Sequence, residues 1–505
     1  MERREFAQSL LAGLSGGELS RFLATNEDSR RIEERSTVDT VKGLRGMEPG
    51  DSQVVLVLGY HEPFDGGGGL FVSVPASTVD PDGGIVVMPE GHDTSTQGRW
   101  RRVVTDEAIN LLWFGARRDD EADAAPALQS AISALREFNG SEEKASRQHP
   151  EAGYHGTLYI PRGTYRIGQP VQVDIGGIRV VGDGAHSTVL RAGGELESSD
   201  AILEVEGSDY GTTPGPVRRT YFADLMIRGR GTEPKKEPVG IRTKQMNYWM
   251  FERLDLHYLS YGMRLQKSFV GHLQNVHVLR THKGTLINSV SHNVSIVACK
   301  FNNTSASGGA GLRVRGCAGF SVVSTNFERA DIGLRMGDGI KGASVTGCYF
   351  EKNTDADIAL EGQSLDVKER KEKVVEGVSI TGNLFNSSKR SAIYVQGNDN
   401  HPVSGVQVAG NYVDSGTGYL LFLDDRGAYK LNSFSIAGNA LDTPNPAQHT
   451  NLSGKQSDKM EREGEDDGSL SGDKERAVSV RSKLDPETAS TEDIAKAVNE
   501  IIDSI

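Results

Sequence analysis

The chain is poor in sulfur, in proline and in long apolar runs. Its 505 residues hold only three cysteines, Cys299, Cys317 and Cys348. An odd number with no C-x-x-C spacing argues against a disulfide framework and a zinc site, and predicts buried free thiols. No apolar run approaches the ~20 residues of a membrane-spanning helix. Basic residues are outnumbered, 56 Lys and Arg against 69 Asp and Glu, for a net charge of −13. A nucleic-acid partner would call for the opposite balance. His257, His272, His277, His282 and His292 are close in sequence but lack H-E-x-x-H or comparable spacing, so no metal centre is expected. The stretch "DGGGGL" opens no helix and lacks G-x-G-x-x-G, so no nucleotide cofactor is expected either. What the chain has in quantity is glycine: sixty, against 17 prolines and 7% aromatics, as suits many tight turns between short strands.

Composition shifts divide the chain into five parts. Residues 1–35 form an N-terminal tail. Its paired arginines before "SLLAGL" are similar to a twin-arginine export signal, but the apolar stretch is short and no A-x-A site follows, which leaves an ordinary helix as the expectation. Residues 36–105 read as a small β-rich unit, with "QVVLVLGY" and "GLFVSVPA" flanking the turn "FDGGGG". In "DEADAAPALQSAISALREF" the apolar spacing of Ala127, Leu128, Ala131, Ile132 and Leu135 predicts one helix near 123–138, and "GTLYIPRGTYRI" reads as two strands and a bend.

From about residue 220 the sequence repeats. One strand type aligns on Ile227, Leu256, Val278, Phe301, Phe327, Phe350, Phe385, Val413 and Leu441, in steps of 22 to 29 residues apart from one of 35 that absorbs the charged insert 364–377. A second type aligns on Ile241, Met263, Leu286, Leu312, Leu334, Ile358, Ile393 and Leu421, and a third short strand leads into the next unit. Three strands in so short a unit describe a coil of parallel strands, since a propeller blade needs roughly 40 residues. No rung buries its own inward side chains, so equivalent positions must stack at ~4.8 Å. Two residues before each first-type anchor, a second inward column runs Leu225, Leu254, Val276, Cys299, Thr325, Cys348, Asn383, Asn411 and Asn439. Its asparagines are expected to hydrogen-bond along the stack.

The coil is expected to span 106–442. Residues 443–485 are polar and charged and read as a disordered linker. In 486–505 Ile494, Val498, Ile501 and Ile505 make one helical stripe. That stripe suits docking on a partner, on its own copies as in a homotrimer, or on the domain itself.

"FGARRDDEADAAPALQSAI" (114–132) resembles the opening signature of the pectate-lyase-like right-handed β-helix proteins. Gly115, Ala116, Asp119, Asp123, Ala127, Leu128, Ala131 and Ile132 fit it, while Arg118, Asp120, Ala124 and Ala125 depart from it. "GTLYIPRGTYRI" (156–167) and "RVVGDGAHSTVL" (179–190) are similar to the elements that follow in that group. The unit before the helix is similar to the β segment of many phage tailspikes. The resemblance implies an all-β fold, a right-handed single-stranded parallel β-helix of about nine or more rungs with a small N-terminal β unit and a short capping helix. It also implies an acidic polysaccharide that is cleaved or epimerised, and an extracellular or virion-associated protein. No catalytic motif of the group is matched, neither D-P-H-D nor G-H-G, and a non-catalytic spike or adhesin shares the same frame.

"GIRT", "GMRL", "GLRV" and "GLRM" place Arg242, Arg264, Arg313 and Arg335 outward on one sheet by alternation, with Ile287 interrupting in the third rung. Their charges need anions. Either the outward carboxylates Asp255, Glu328, Asp331 and Glu351 pair with them, or a polyanionic glycan does. The adjoining sheet presents Asp255, His257, His277, Lys300, Glu328 and Glu351, with Asp331 in the following turn. Glu328 and Glu351 are adjacent by stacking and suit a hydrolase. Arginine with Lys300 or His277 as base suits a lyase acting on a uronate. The catalytic expectation is therefore Glu328, Glu351, Asp331, Asp255, Lys300 and His277, with Arg242, Arg264, Arg313, Arg335 and His257 binding substrate, without metal or cofactor.

Overall fold

The computed structural model describes residues 34–105, 108–138, 156–212, 215–231, 233–288, 291–337, 339–362, 374–397, 402–424, 432–442 and 450–453. The expectations for residues 1–33 and for the C-terminal helix lie outside the described residues. The chain divides into two compact units, residues 1–165 with 178–181, and residues 166–177 with 182–505.

In the first unit, Glu34–Thr40 pairs in parallel with Gln53–Gly59, which pairs antiparallel with Gly69–Val74. Arg99–Arg102 and Val86–Val87 complete a five-stranded sheet. Its core is Val41, Leu44, Val55, Val57, Phe71, Val87 and Trp100. The glycine run "GGGG" is explained by close approach: a Cβ on Gly68 would meet the Val57 carbonyl at 2.5 Å. Arg102 is buried here, lying over the Phe71 and Trp113 rings at 4.5 and 4.8 Å and donating to the carbonyls of Gly84, Gly68 and Gly67. Burial pulls its pKa down to about 9, against the pull of Asp82 in the other direction. The predicted helix forms at Ala125–Phe138, and its Leu128, Ala131, Ile132 and Leu135 are buried.

The second unit is a parallel β-helix. Its strand pairings put Ile227, Leu256, Val278, Phe301, Phe327, Phe350, Phe385, Val413 and Leu441 in one column, as the repeat predicts. The four phenylalanines stack with ring centroids 5.0 to 5.2 Å apart. Equivalent aromatic residues thereby fill the interior at the strand spacing. The neighbouring column ends in the expected amide ladder. Asn383 Nδ2 donates to Asn411 Oδ1 at 2.9 Å, and Asn411 Nδ2 to Asn439 Oδ1 at 2.9 Å. Cys299, Cys317 and Cys348 are buried and free.

The register corrects two expectations. Met263 pairs with Thr285 and Arg264 with Leu286, so Thr285 holds the inward position of that rung and Ile287 is buried. Leu286, not Ile287, interrupts the arginine column. In the rungs of Gly240, Gly262, Gly311 and Gly333 the residue following the glycine turns inward, and after Gly284 that residue is a threonine, which an apolar pattern passes over. Within the expected linker, Thr450–Ser453 forms a strand paired with Tyr419–Asp424. Adding a strand to the open end of a coil is backbone hydrogen bonding and needs no apolar run.

Candidate functional site

The first-type sheet turns two columns outward. One, before the apolar anchor, runs Met226, Asp255, His277, Lys300, Asn326 and Tyr349. The other, after it, runs Arg228, His257, Leu279, Asn302, Glu328 and Glu351. Alternation sets both columns away from the core, yet two carboxylates within them are shielded: Asp255 is 6% and Glu328 7% exposed. The polar side chains of neighbouring rungs cover them.

Asp255 lies against two imidazoles and accepts from one of them, His277. His277 Nδ1 lies 3.0 Å from its Oδ1, and His186 Nε2 3.5 Å from its Oδ2. Burial alone would raise the Asp255 pKa. The hydrogen bond from His277 and the charges of His277, His257 and His186 outweigh burial and hold the carboxyl below its usual range. An ionised Asp255 can only accept, so Nδ1 of His277 carries the hydrogen and Nε2 of a neutral ring is left as a base. The His277 side chain is 40% exposed. His257 is pushed down by burial and by Arg228, against the pull of Asp255. Its Nε2 has no hydrogen-bond partner among the described residues.

Glu328 is held differently. Lys300 Nζ sits 2.9 Å from Oε1, and Asn302 Nδ2 donates to Oε2 at 2.6 Å. Glu351, its register partner, is paired to Lys352, and that hydrogen bond lowers its pKa. Both carboxylates are therefore matched to cations. Asp331 is spent on the turn: it accepts from the Gly308 N–H and, at 2.6 Å, from Thr354 Oγ1.

The arginine column is in register as Glu204, Arg242, Arg264, Leu286, Arg313 and Arg335. Arg242 and Arg335 are partnered by carboxylates other than those anticipated. Arg242 pairs with Glu204 at 2.6 Å and donates to the Ser199 carbonyl. Arg335 lies 3.4 Å from Glu361, and Arg264 lies over the Tyr261 ring at 5.3 Å. Carboxylates on the neighbouring rung of the same sheet are within reach, whereas those of the first-type sheet face another side. The structure thus gathers Asp255, His257, His277, Lys300, Glu328 and Glu351 on one face, and leaves Arg242, Arg264, Arg313 and Arg335 on the next.

Sequence reasoning passed over His186, Arg228 and Asn302, and a whole further column. Tyr258, Arg280, Asn303, Arg329, Lys352 and Ser387 each lie two residues after an anchor, and each has φ between 54° and 60°. The N–H of Arg280 bonds to Asn302 O, that of Asn303 to Glu328 O, that of Arg329 to Glu351 O and that of Lys352 to Asn386 O, all at 3.0 Å. The spacing from the anchor was the available signal, and it marks the corner that borders the carboxylate face.

Residues 108–356 match the family described as rhamnogalacturonase A/epimerase, pectate lyase-like, and residues 37–105 match the phage tail protein small four-stranded β-sheet domain. No curated protein matches the chain in sequence. Among solved structures, the enzymatically active domain of bacteriophage CBA120 tailspike protein 2 superposes with a TM-score of 0.57 at 12% identity, over 88% of this chain and 67% of that one. The tailspike of Acinetobacter baumannii phage AM24 gives 0.53 at 15% identity, over 82% and 66%. The Dettilon tailspike gives 0.51 at 12% identity, over 68% and 68%. At these identities the likeness is one of fold. The stacked rungs, the three opening motifs and the matched residues agree, and the chain carries a pectate-lyase-like parallel β-helix preceded by a sheet of the phage-tail type.

Proposed function

We propose that the protein is a carbohydrate-active β-helix, extracellular or virion-associated, that cleaves an acidic polysaccharide by β-elimination on the face carrying Asp255, His277 and Lys300. The observation that carries this reading is the 3.0 Å contact between buried Asp255 and half-exposed His277. A carboxylate that fixes the tautomer and orientation of an imidazole leaves a positioned base at its far nitrogen. In the proposed step Nε2 takes the proton α to a uronate carboxylate, and the electron pair of that C–H bond forms the ring double bond. The glycosidic oxygen departs with its bonding pair and is protonated from solvent. Lys300, the register neighbour of His277, shares its charge between Glu328, 2.9 Å away, and the substrate carboxylate as that gains electron density.

The adjacency of Glu328 and Glu351 favours a second, hydrolytic reading. Hydrolysis needs one protonated carboxyl, and Lys300 and Lys352 pair these two with cations. A third reading, a spike or adhesin that only binds glycan, has the same frame. Substitution separates them. H277N and D255N should abolish formation of unsaturated uronate ends, read by ultraviolet absorbance, while E351Q retains it. Full activity of H277N overturns the elimination. Loss in E351Q with retention in H277N moves the chemistry to the carboxylates, and no turnover on any glycan in the wild type leaves a binder.

A further inference from the structure

Two corners of the β-helix impose the same left-handed backbone on one residue in each of the six rungs anchored from Leu256 to Phe385. At the corner that leads into the first-type sheet these are Arg253, which is paired with Asp224 and Glu252, and then Asn275, Ala298, Ser324, Gly347 and Gly382. Small residues and asparagine are what this conformation favours, because a large side chain crowds the backbone at positive φ. At the corner that leaves the sheet, the equivalent positions are Tyr258, Arg280, Asn303, Arg329, Lys352 and Ser387. Three of the six are cations with long side chains. A strained conformation kept at a cost is where function is worth seeking.

The surroundings of these cations point the same way. Arg280, Arg329 and Lys352 are exposed. Arg228 and Arg280 flank the ring of Tyr258 at 5.3 and 5.4 Å, which holds an aromatic face and two guanidinium groups together. Arg329 acts on Glu351 through its charge but has no ion-pair partner among the described residues. Lys352 is the exception, being paired to Glu351. Carboxylates do border the row, Glu328 and Glu351 preceding Arg329 and Lys352 in the chain, and Glu328 is already taken by Lys300 and Asn302. Stacking places Arg280 two rungs from Arg329 and Arg329 one rung from Lys352, roughly 10 and 5 Å along the axis. That is a row of cations at sugar-like intervals beside the proposed active face.

We propose that this corner, Tyr258, Arg280, Arg329 and Lys352, is the binding edge for the anionic groups of the glycan, so that the substrate is a polymer with a carboxylate or sulfate recurring along it. The inference rests on the reading of the neighbouring face as a glycan site, and it adds the residues that grip the anionic groups and the choice between carboxylate and sulfate. Guanidinium groups bind either anion bidentately, and the lysine adds a point charge.

The test uses the full-length protein and the triple variant R280N/R329N/K352N. Asparagine tolerates the left-handed backbone better than arginine or lysine, so the variant should melt at the same temperature as the wild type or higher. It should bind anionic oligosaccharides at least tenfold more weakly, with R329N alone giving part of the loss. The probes are alginate oligomers for carboxylate, dextran sulfate for sulfate, chondroitin sulfate for both, and dextran as the neutral control. Binding that weakens with salt, prefers one anionic class over dextran and is lost in the stable variant supports the proposal, and the preferred class names the anion. Equal affinity of wild type and variant, equal affinity for dextran, or no binding of any anionic probe by the wild type overturns it. Anionic-probe binding that the triple variant loses, in a protein without turnover, sinks the elimination and keeps this inference. Turnover of an anionic glycan with unchanged affinity in the variant does the reverse.

Discussion

Asp357 offers a quantitative test of how the β-helix is packed. Its carboxyl is fully buried between rungs, accepting at Oδ1 from Asn353 Nδ2 at 2.7 Å and from Ser388 Oγ, while Oδ2 has no hydrogen-bond partner among the described residues. Burial raises its pKa from the ordinary 3.8 to about 7, against the opposing effect of the Ser388 and Asn353 hydrogen bonds. The folded state thus holds a proton that the unfolded chain releases between about pH 4 and 7. Stability must fall as pH rises through that window and level off above it. Between pH 5 and pH 8 about two pKa units are traversed, which at 1.36 kcal/mol each is about 3 kcal/mol. The D357N variant would keep an accepting oxygen at this position and carry no titratable proton. Unfolding midpoints of wild type and D357N, measured at pH 5 and pH 8, isolate this group from every other titration. The expected result is that D357N gains on the wild type by several degrees at the higher pH. Midpoints that move in parallel would refute the assignment of a buried neutral acid.

The interior columns give further expectations. F350A removes the ring between Phe327 and Phe385, 5.0 and 5.1 Å from its neighbours, and should cost about 3–5 kcal/mol in denaturant unfolding. N411A strands the N–H and the side-chain amide of Asn383, both of which donate to Asn411 Oδ1 at 2.9 Å. With about 1–3 kcal/mol for each buried donor left unpaired, the midpoint should fall clearly below that of a surface alanine control such as T381A. Burial pushes the Cys299 thiol up to about 12 and that of Cys348 to about 11. Neither should react with a thiol reagent at pH 8 until the protein is unfolded, and rapid labelling of the native protein would contradict their place in the core.

The fold was legible because a stacked coil writes its register into the sequence. An apolar or aromatic residue at each anchor recurs at rung length, and the neighbouring inward column ends in three asparagines, Asn383, Asn411 and Asn439. The one misalignment came at Thr285, where a polar residue fills an inward position and its apolar neighbours mimic the pattern. The site was less legible for two physical reasons. Ion-pair partners depend on which outward columns share a sheet. The arginine column and the carboxylates Asp255 and Glu328 fall on different faces, so Arg242 finds Glu204 and Arg335 finds Glu361 instead. The cations at the left-handed corner look in sequence like ordinary turn residues, and only their backbone conformation marks them out. His186 reaches Asp255 from a turn far earlier in the chain, with nothing local to predict it.

The central claim is that the Asp255–His277 face acts on an acidic glycan. The most direct measurement is the product chemistry of the wild-type protein on pectins, alginates, glycosaminoglycans and bacterial capsules, following new reducing ends and ultraviolet absorbance of unsaturated uronates together. The account predicts that both appear, on an anionic polymer and not on dextran. Reducing ends without absorbance, or cleavage of neutral polymer alone, would contradict it.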